Sequence, residues 1–404
     1  MRHNTKIVSK INLPASNDHS LPLVDLFCGA GGLSLGFQNA GFSPVLAIDN
    51  WDAALNCYKA NFDHSVKRMD LADWNAVIEG VRPYRPSIII GGPPCQDFSN
   101  AGLRVEGSRA KLTVCYAKVV AGVLPQCFVM ENVPRAQRSS SYAAARKIFK
   151  KSGYGLTEMV LDASLCGVPQ LRRRFFCIGV KGAKDGFLND ALLYHQSIFP
   201  LSIRDYFGEE FAIEHYYRHP RSYARRAIFS IDEPSPTIRG CNRPLPPKYK
   251  KHAADSASPK RRGLRALTMG ERAQLQLFPS SYKWIGSIND CNQIIGNAVP
   301  VGLAQYVADR LFDYLERGGN TMVPKSFPVW LHDVKGLSVA AAGDVISHYR
   351  RACRLIKRPS HVIDIRDEVM GAKGFKSLKR EAKNQIVHAF DLYTEYKNNI
   401  DKEG

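Results

Sequence analysis

The chain has 404 residues, 45% of them hydrophobic, and a formal net charge of +19. That is material for one large domain with a smaller partner, or for two to three modest ones. The basic excess is the footprint of a polyanionic partner such as nucleic acid. No apolar run approaches the length of a bilayer span, and the first twenty residues, MRHNTKIVSKINLPASNDHS, lack the apolar centre of a secretory signal. A soluble cytoplasmic protein without membrane association is therefore expected. None of the ten cysteines pair at C-x-x-C spacing, so no zinc framework and no metal are expected. Cys127 in QCFVM and Cys177 in FFCIG read as small core hydrophobes.

In chain order, a polar tail over 1–20 precedes a region of strand-helix alternation over 21–180. LPLVDLF, SPVLAIDN, PSIIIGG, QCFVMENV and RRFFCIGV each read as a buried parallel strand. LSLGFQNAGF, NWDAALNCYKANF and LTVCYAKVVAGVL, lying between them, carry helical spacing. The alternation predicts an α/β domain built on a doubly wound, mostly parallel sheet. Residues 181–265 lose clean periodicity and hold sixteen Lys and Arg against nine Asp and Glu, which predicts a smaller, irregular, phosphate-facing domain. Helical pattern returns over 266–318, which is expected to rejoin the first domain. Thr268 and Glu271 form a capping signal there, and a longer amphipathic helix runs from Pro300 to Gly318. Residues 319–404 read as a helical extension of no assigned role.

Five short segments carry chemistry. Asp25-Leu-Phe-Cys-Gly-Ala-Gly-Gly follows the first strand, and Gly29, Gly31 and Gly32 permit a tight turn or close approach to a ligand. Ser34 breaks the G-x-G-x-x-G dinucleotide spacing. The loop alone is either a cofactor cradle or a structural turn. Asp49 ends the second strand, where an acid commonly grips ribose hydroxyls. Asp70 stands near a later strand end, with a helix cap for LADW as its plainer reading.

Gly91-Gly-Pro-Pro-Cys-Gln-Asp-Phe-Ser99 places Cys95 at a strand's carboxyl end in a stiff, exposed loop. A nucleophile needs that setting and a core cysteine does not. Glu131-Asn132-Val133 follows CFVM, so an acid and a thiol can face one substrate from neighbouring strand ends. Gln170-Leu-Arg-Arg-Arg174 is either a solvated face or a set of phosphate and carbonyl ligands. Gly296-Asn297, in QIIGNAVP, is by itself an ordinary turn signal.

In this order the segments resemble the cytosine-5 DNA methyltransferase family over roughly residues 21–317. DLFCGAGGLSLGF is similar to its cofactor loop and GGPPCQDFS to its nucleophile loop. ENV, QLRRR and GNAVP stand where the family has them. RALTMGERAQLQLFP is similar to the segment before that turn, although Gly270-Glu271 replaces the family's usual Arg-Glu pair. The resemblance implies S-adenosyl-L-methionine as cofactor, with S-adenosyl-L-homocysteine as product. Asp25, Phe27, Gly29, Gly31, Gly32, Asp49, Asn50, Asp70, Leu71, Pro94, Asn297, Ala298 and Val299 would hold it. Cys95 is implied as nucleophile, with Gln96 beside it and Glu131, Arg172 and Arg174 as its catalytic companions.

The basic region is implied as a target recognition domain for double-stranded DNA, with Arg239, Asn242 and Arg243 as candidate base readers. Because carbon 5 of cytosine is a poor nucleophile, thiolate addition at carbon 6 is needed to activate it. Glu131 would donate at N3, Arg174 would hold cytosine O2 and Glu131, and Arg172 would lie near the thiol and a phosphate. The target base must be flipped out of the duplex. The expected role is the modification half of a restriction-modification system, acting as a monomer on DNA, with a cognate endonuclease as its genetic partner. The competing readings are a tRNA cytosine-5 methyltransferase, disfavoured by the size and charge of the recognition region, and an inactive DNA-binding regulator, disfavoured by the presence of Cys95 and Glu131. A nicotinamide dehydrogenase is disfavoured by the broken glycine spacing.

Overall fold

The computed structural model describes residues 21–94, 111–197, 199–222, 224–316 and 366–403, with short stretches between 330 and 349. The chain forms two compact units, Met1–Phe187 with Leu201–Glu316, and Leu188–Pro200 with Arg317–Gly404.

The larger unit is organised by strands β1 (Leu21–Leu26), β2 (Phe42–Asp49), β3 (Ser65–Arg68), β4 (Ile88–Gly91), β5 (Cys127–Asn132), β6 (Tyr154–Asp162) and β8 (Arg173–Lys181). Among the described residues these make a seven-stranded sheet in the order β3-β2-β1-β4-β5-β8-β6. The first five are mutually parallel. β8 runs antiparallel to both β5 and β6, which corrects the reading of RRFFCIGV as a parallel strand. A strand buried on both faces shows the same unbroken apolar run in either direction, so its sense is not in the pattern.

Helices α1 (Gly32–Asn39), α2 (Asp52–Lys59), α3 (Trp74–Val81), α4 (Lys111–Val123) and α5 (Ser140–Lys151) connect the strands. On one face, Val77, Ile78 and Val81 of α3, Tyr116 and Val120 of α4 and Phe149 of α5 pack on Val24, Ile48, Ile89, Phe128 and Met130. Fully burying one such side chain is worth about 1.5–3 kcal/mol. The Tyr116 hydroxyl donates to the carbonyls of Ile89 and Val129, both at 3.0 Å, so even this buried polar atom ties β4 to β5. Cys127 and Cys177 are core residues, 1% and 0% exposed.

Residues 201–268 hold short pieces: α7 (Ile203–Phe207), strands β9 (His215–Tyr217), β10 (Ile228–Ser230) and β12 (Arg265–Ala266) in the order β10-β9-β12, and β11 (Ser235–Pro236), which pairs in parallel with β7 (Gln170–Leu171). Their apolar residues Tyr216, Phe229, Ile231 and Ile238 share a core with Tyr58, Phe278, Ile294 and Ile295. The chain then continues through α8 (Met269–Gln274), α9 (Ile288–Asn297) and α10 (Val301–Glu316). Thr268 and Glu271 form the predicted reciprocal cap of α8. The expected helix end at Gly318 lies outside the described residues.

The predicted recognition region, 181–265, is interrupted. Its helix α6 (Asn189–Tyr194) belongs with the C-terminal unit, where Tyr194 and Phe199 pack against a core containing Trp330, Tyr349, Phe375 and Phe390. Nothing local in LNDALLYHQSIFP marks that distant partner. Among the described residues no helix is long and apolar enough to cross a membrane.

Candidate active site

The register brings four strand ends to one edge. Asp25 lies level with Ala47 and Ile90, Leu26 with Gly91, and Gly91 with Met130. The residues that follow, Phe27, Asp49, Gly92 and Glu131, therefore converge at the carboxyl ends of β1, β2, β4 and β5. Strand order reverses between β1 and β4, the place where open α/β sheets form ligand crevices.

A cavity of about 650 Å³ opens there. Phe27, Gly29, Gly32, Asp49, Asn50, Asp70 and Leu71 line one part of it, and Pro94, Glu131, Arg174, Asn297, Ala298 and Val299 line the rest. Phe27 holds a positive φ of 62°, a conformation that a bulky residue adopts only where its surroundings enforce it. Gly32 approaches the GNAVP turn so closely that a Cβ would stand 2.3 Å from the Val299 carbonyl oxygen. Asp49 accepts from the N–H groups of Gly29 at 2.9 Å, Asn50 at 2.8 Å and Trp51 at 3.0 Å, which binds the glycine loop to the second strand end. Asp70 accepts from Ala72 N–H at 2.9 Å, while Asp73 caps α3. The cap is thus one turn later than LADW suggested.

Two predicted cofactor residues lie behind the wall. Asp25 is 0% exposed and accepts from the Ser34 hydroxyl at 2.6 Å, and Ser34 accepts from Tyr58 at 2.6 Å. Burial, only partly offset by the Ser34 bond, pushes the Asp25 carboxyl up to about 7. Gly31 faces the Phe62 ring. Trp51, Leu112, Asn132 and Ile294 also line the cavity. Trp51 follows Asn50 directly and could have been inferred, whereas Leu112 and Ile294 are apolar helix residues with no distinguishing signal.

Glu131 is 8% exposed and pairs through Oε1 with Arg174 Nε at 2.9 Å. Burial raises its carboxyl above the usual range even though Arg174 and Arg172 pull it down. The nucleophile loop begins beside it. A Cβ on Gly92 would stand 3.1 Å from Glu131 Oε2, and Asn132 Nδ2 donates to the Pro93 carbonyl at 3.2 Å. Cys95 and Gln96 lie outside the described residues.

Arg172 lies in the interior beside these groups. It is 1% exposed, and its guanidinium donates to the carbonyls of Ile238 at 2.8 Å, Gly296 at 3.0 Å and Ala298 at 2.7 Å. The side chain thus ties three backbone segments together, and the thiol of its implied role lies outside the described residues. Gln170 works alongside, accepting from Ile238 N–H at 3.0 Å and donating to Leu275 at 3.1 Å.

Among the candidate base readers, Arg239 is partly buried and donates to the His219 carbonyl, while Asn242 donates to Leu267 at 2.8 Å and Arg243 is exposed. Arg218 donates to Thr237 at 2.8 Å, so the segments around 218 and 239 lace one another. Burial and the neighbouring Arg239 and Arg221 push the Arg218 guanidinium down to about 10.

A doubly wound sheet with a glycine loop, an acid-lined crevice and a buried glutamate at the next strand end defines the fold of S-adenosylmethionine-dependent methyltransferases. Comparison with known proteins agrees. Residues 21–313 match the family described as C-5 cytosine-specific DNA methylase, and the chain belongs to that family. It is 48% identical to the type II methyltransferase M.HgiDI of Herpetosiphon aurantiacus over 295 residues, 73% of this chain and 95% of that one. To M.HindV of Haemophilus influenzae it is 47% identical over 292 residues, 72% of this chain and 96% of the relative. The S. pombe Dnmt2 methyltransferase (TM-score 0.53, 20% identity, 73% and 99% coverage) shares the fold. So does the Entamoeba histolytica methyltransferase EhMeth (TM-score 0.53, 16% identity, 74% and 99% coverage). The protein is a DNA cytosine-5 methyltransferase of the restriction-modification type, and membership implies S-adenosylmethionine as methyl donor and double-stranded DNA as substrate.

Proposed function

We propose that this enzyme methylates one cytosine within a short duplex sequence by nucleophilic activation of the ring, with Cys95 as the attacking thiol and Glu131 as the proton donor. The observation that supports this best is the start of the cysteine loop beside a buried glutamate. Gly92 and Pro93 are held against Glu131 and Asn132, which starts the cysteine loop at the crevice wall.

Thiolate addition forms the S–C6 bond and moves an electron pair onto the ring, where N3 takes a proton from Glu131. Burial favours the protonated acid that this requires. Arg174, fixed on Glu131 at 2.9 Å, orients the carboxyl and offers its remaining donors to cytosine O2. S-adenosylmethionine, when bound, supplies the methyl group that carbon 5 accepts. Loss of the carbon 5 proton then expels the Cys95 thiolate, and the N3 proton returns to Glu131.

The crevice suits this cofactor. Phe27, Leu71 and Val299 offer apolar walls, and Asp49 and Asp70 offer acids toward ribose hydroxyls and a cationic ligand. The cytosine must leave the duplex to reach it, at a cost of a few kcal/mol. Arginines 218, 221, 239 and 243, on the two laced segments, supply phosphate and base contacts that offset that cost. A companion endonuclease recognising the same sequence completes the system.

Substituting Glu131→Gln tests the proton role. Single-turnover methylation should slow by a factor on the order of 10²–10⁴, with cofactor affinity retained. An unchanged rate would remove Glu131 from proton transfer.

A further inference from the structure

From Arg317 on, the C-terminal unit lies beyond the residues that match the family, and the unit holds a core of its own, in which Trp330, Tyr349, Phe375, Ile386, Phe390 and Tyr396 are buried together. Its surface charge is uneven. Between Val369 and Phe390 the cations Lys373, Lys376, Lys379, Arg380 and Lys383 stand with a single acid, Glu381. Two helices meet in this stretch, Lys373–Lys376 and Arg380–Glu403, joined by the non-helical residues 377–379. Lys373 and Lys376 share a face of the first helix, Lys379 and Arg380 follow at the junction, and Phe375 and Ile386 turn into the core.

Lys373, Lys376, Lys379 and Arg380 are exposed. The Lys383 ammonium folds back onto the Lys376 carbonyl at 2.7 Å. None of the four exposed cations has a carboxylate partner among the described residues. Two acids of the long helix Arg380–Glu403 are engaged elsewhere, Asp391 with Arg366 and Glu395 with Lys335. Positive charge is thus gathered between Lys373 and Arg380, with Glu381 at its edge.

We propose that this face is a second DNA-binding surface, taking the phosphate backbone of duplex DNA without reading its sequence. Flexible ammonium groups act as point charges for phosphate, whereas base reading favours planar forks. The inference rests on the duplex-DNA substrate and extends the contact beyond the family fold.

The test uses the full chain and a duplex of about 30 base pairs lacking the methylated sequence, with affinity measured across salt concentrations. Each phosphate contact contributes about 0.9 to the slope of log affinity against log salt. Replacing Lys373, Lys376, Lys379 and Arg380 together by Gln should therefore flatten the slope by about 3 to 4. Lys376→Gln and Lys379→Gln alone should each flatten it by about one, which guards against misfolding of the quadruple variant. Methylation at the target sequence in low salt should be retained throughout. An unchanged slope in all three variants overturns the proposal and leaves the face to an acidic protein partner or to solvent. Failure of the wild-type enzyme to methylate any DNA would strike the substrate reading instead, and the slope would still report on this face.

Discussion

Asp25 and Arg172 are charged residues folded into the interior, and each makes a measurable demand on stability. The Asp25 carboxyl titrates at about 7 in the fold against 3.8 in an unperturbed chain. Between about pH 4 and 7 the folded protein therefore holds a proton that the unfolded chain has released. Its contribution is fully present below about pH 4 and declines by up to ~1.4 kcal/mol per pH unit up to about pH 7. In urea denaturation, Asp25→Asn should lose less stability than the wild type between pH 5 and 7. Parallel curves would contradict the assignment. For Arg172, replacement by Ala abandons three buried carbonyls and should cost at least about 3 kcal/mol. A loss below ~1 kcal/mol would mean that the Ile238 and Gly296 segments are held by other contacts.

At this scale the sequence was most legible where chemistry is local. Glu131, Asp49, Asp70 and the GNAVP turn all line the crevice, because short loops at strand ends carry their function in consecutive residues. Arg172 was not legible, since two positions separate it from Arg174 and only the fold shows that one faces inward and the other toward Glu131. Asp25 was placed with the cofactor loop it precedes, and only burial shows it behind the wall.

Among elements, the crossing of α9 over the recognition segment is the joint on which the site depends. A Cβ on Gly296 would stand 2.1 Å from the Gly240 nitrogen and 2.3 Å from the Arg239 carbonyl carbon. Both neighbours are backbone, so neither can rotate away. Gly296→Ala should push the 238–243 segment off α9, raising KM for DNA more than it lowers kcat and destabilising the fold by about 1–3 kcal/mol. Unaltered kinetics and stability would show that the crossing has slack. The parallel strands β1, β2, β4 and β5 were legible as apolar runs closed by Gly, Asp or Glu. β6 was not, because Glu158 interrupts its run. That carboxylate is satisfied by Tyr142 and by Arg146 at 2.9 Å, partners from a helix.

For the whole molecule, the basic excess that suggests nucleic acid is spread along the chain, with sixteen cations against nine acids over 181–265 and fifteen against ten over 319–404. The unit boundary escaped the sequence because residues 188–200 leave the first unit and join a core that begins more than a hundred residues later. Composition shifts mark where character changes and do not mark which distant segment a helix packs against.

Base-resolution methylation sequencing of DNA from a methylation-free host that expresses the wild-type protein or its Cys95→Ala variant tests the nucleophile and the substrate most directly. The prediction is cytosine-5 methylation at one short sequence in the first and none in the second, with the variant still binding DNA and cofactor. Methylation persisting in the variant would contradict the assignment of Cys95, and unmethylated DNA from a folded wild-type enzyme would contradict the substrate.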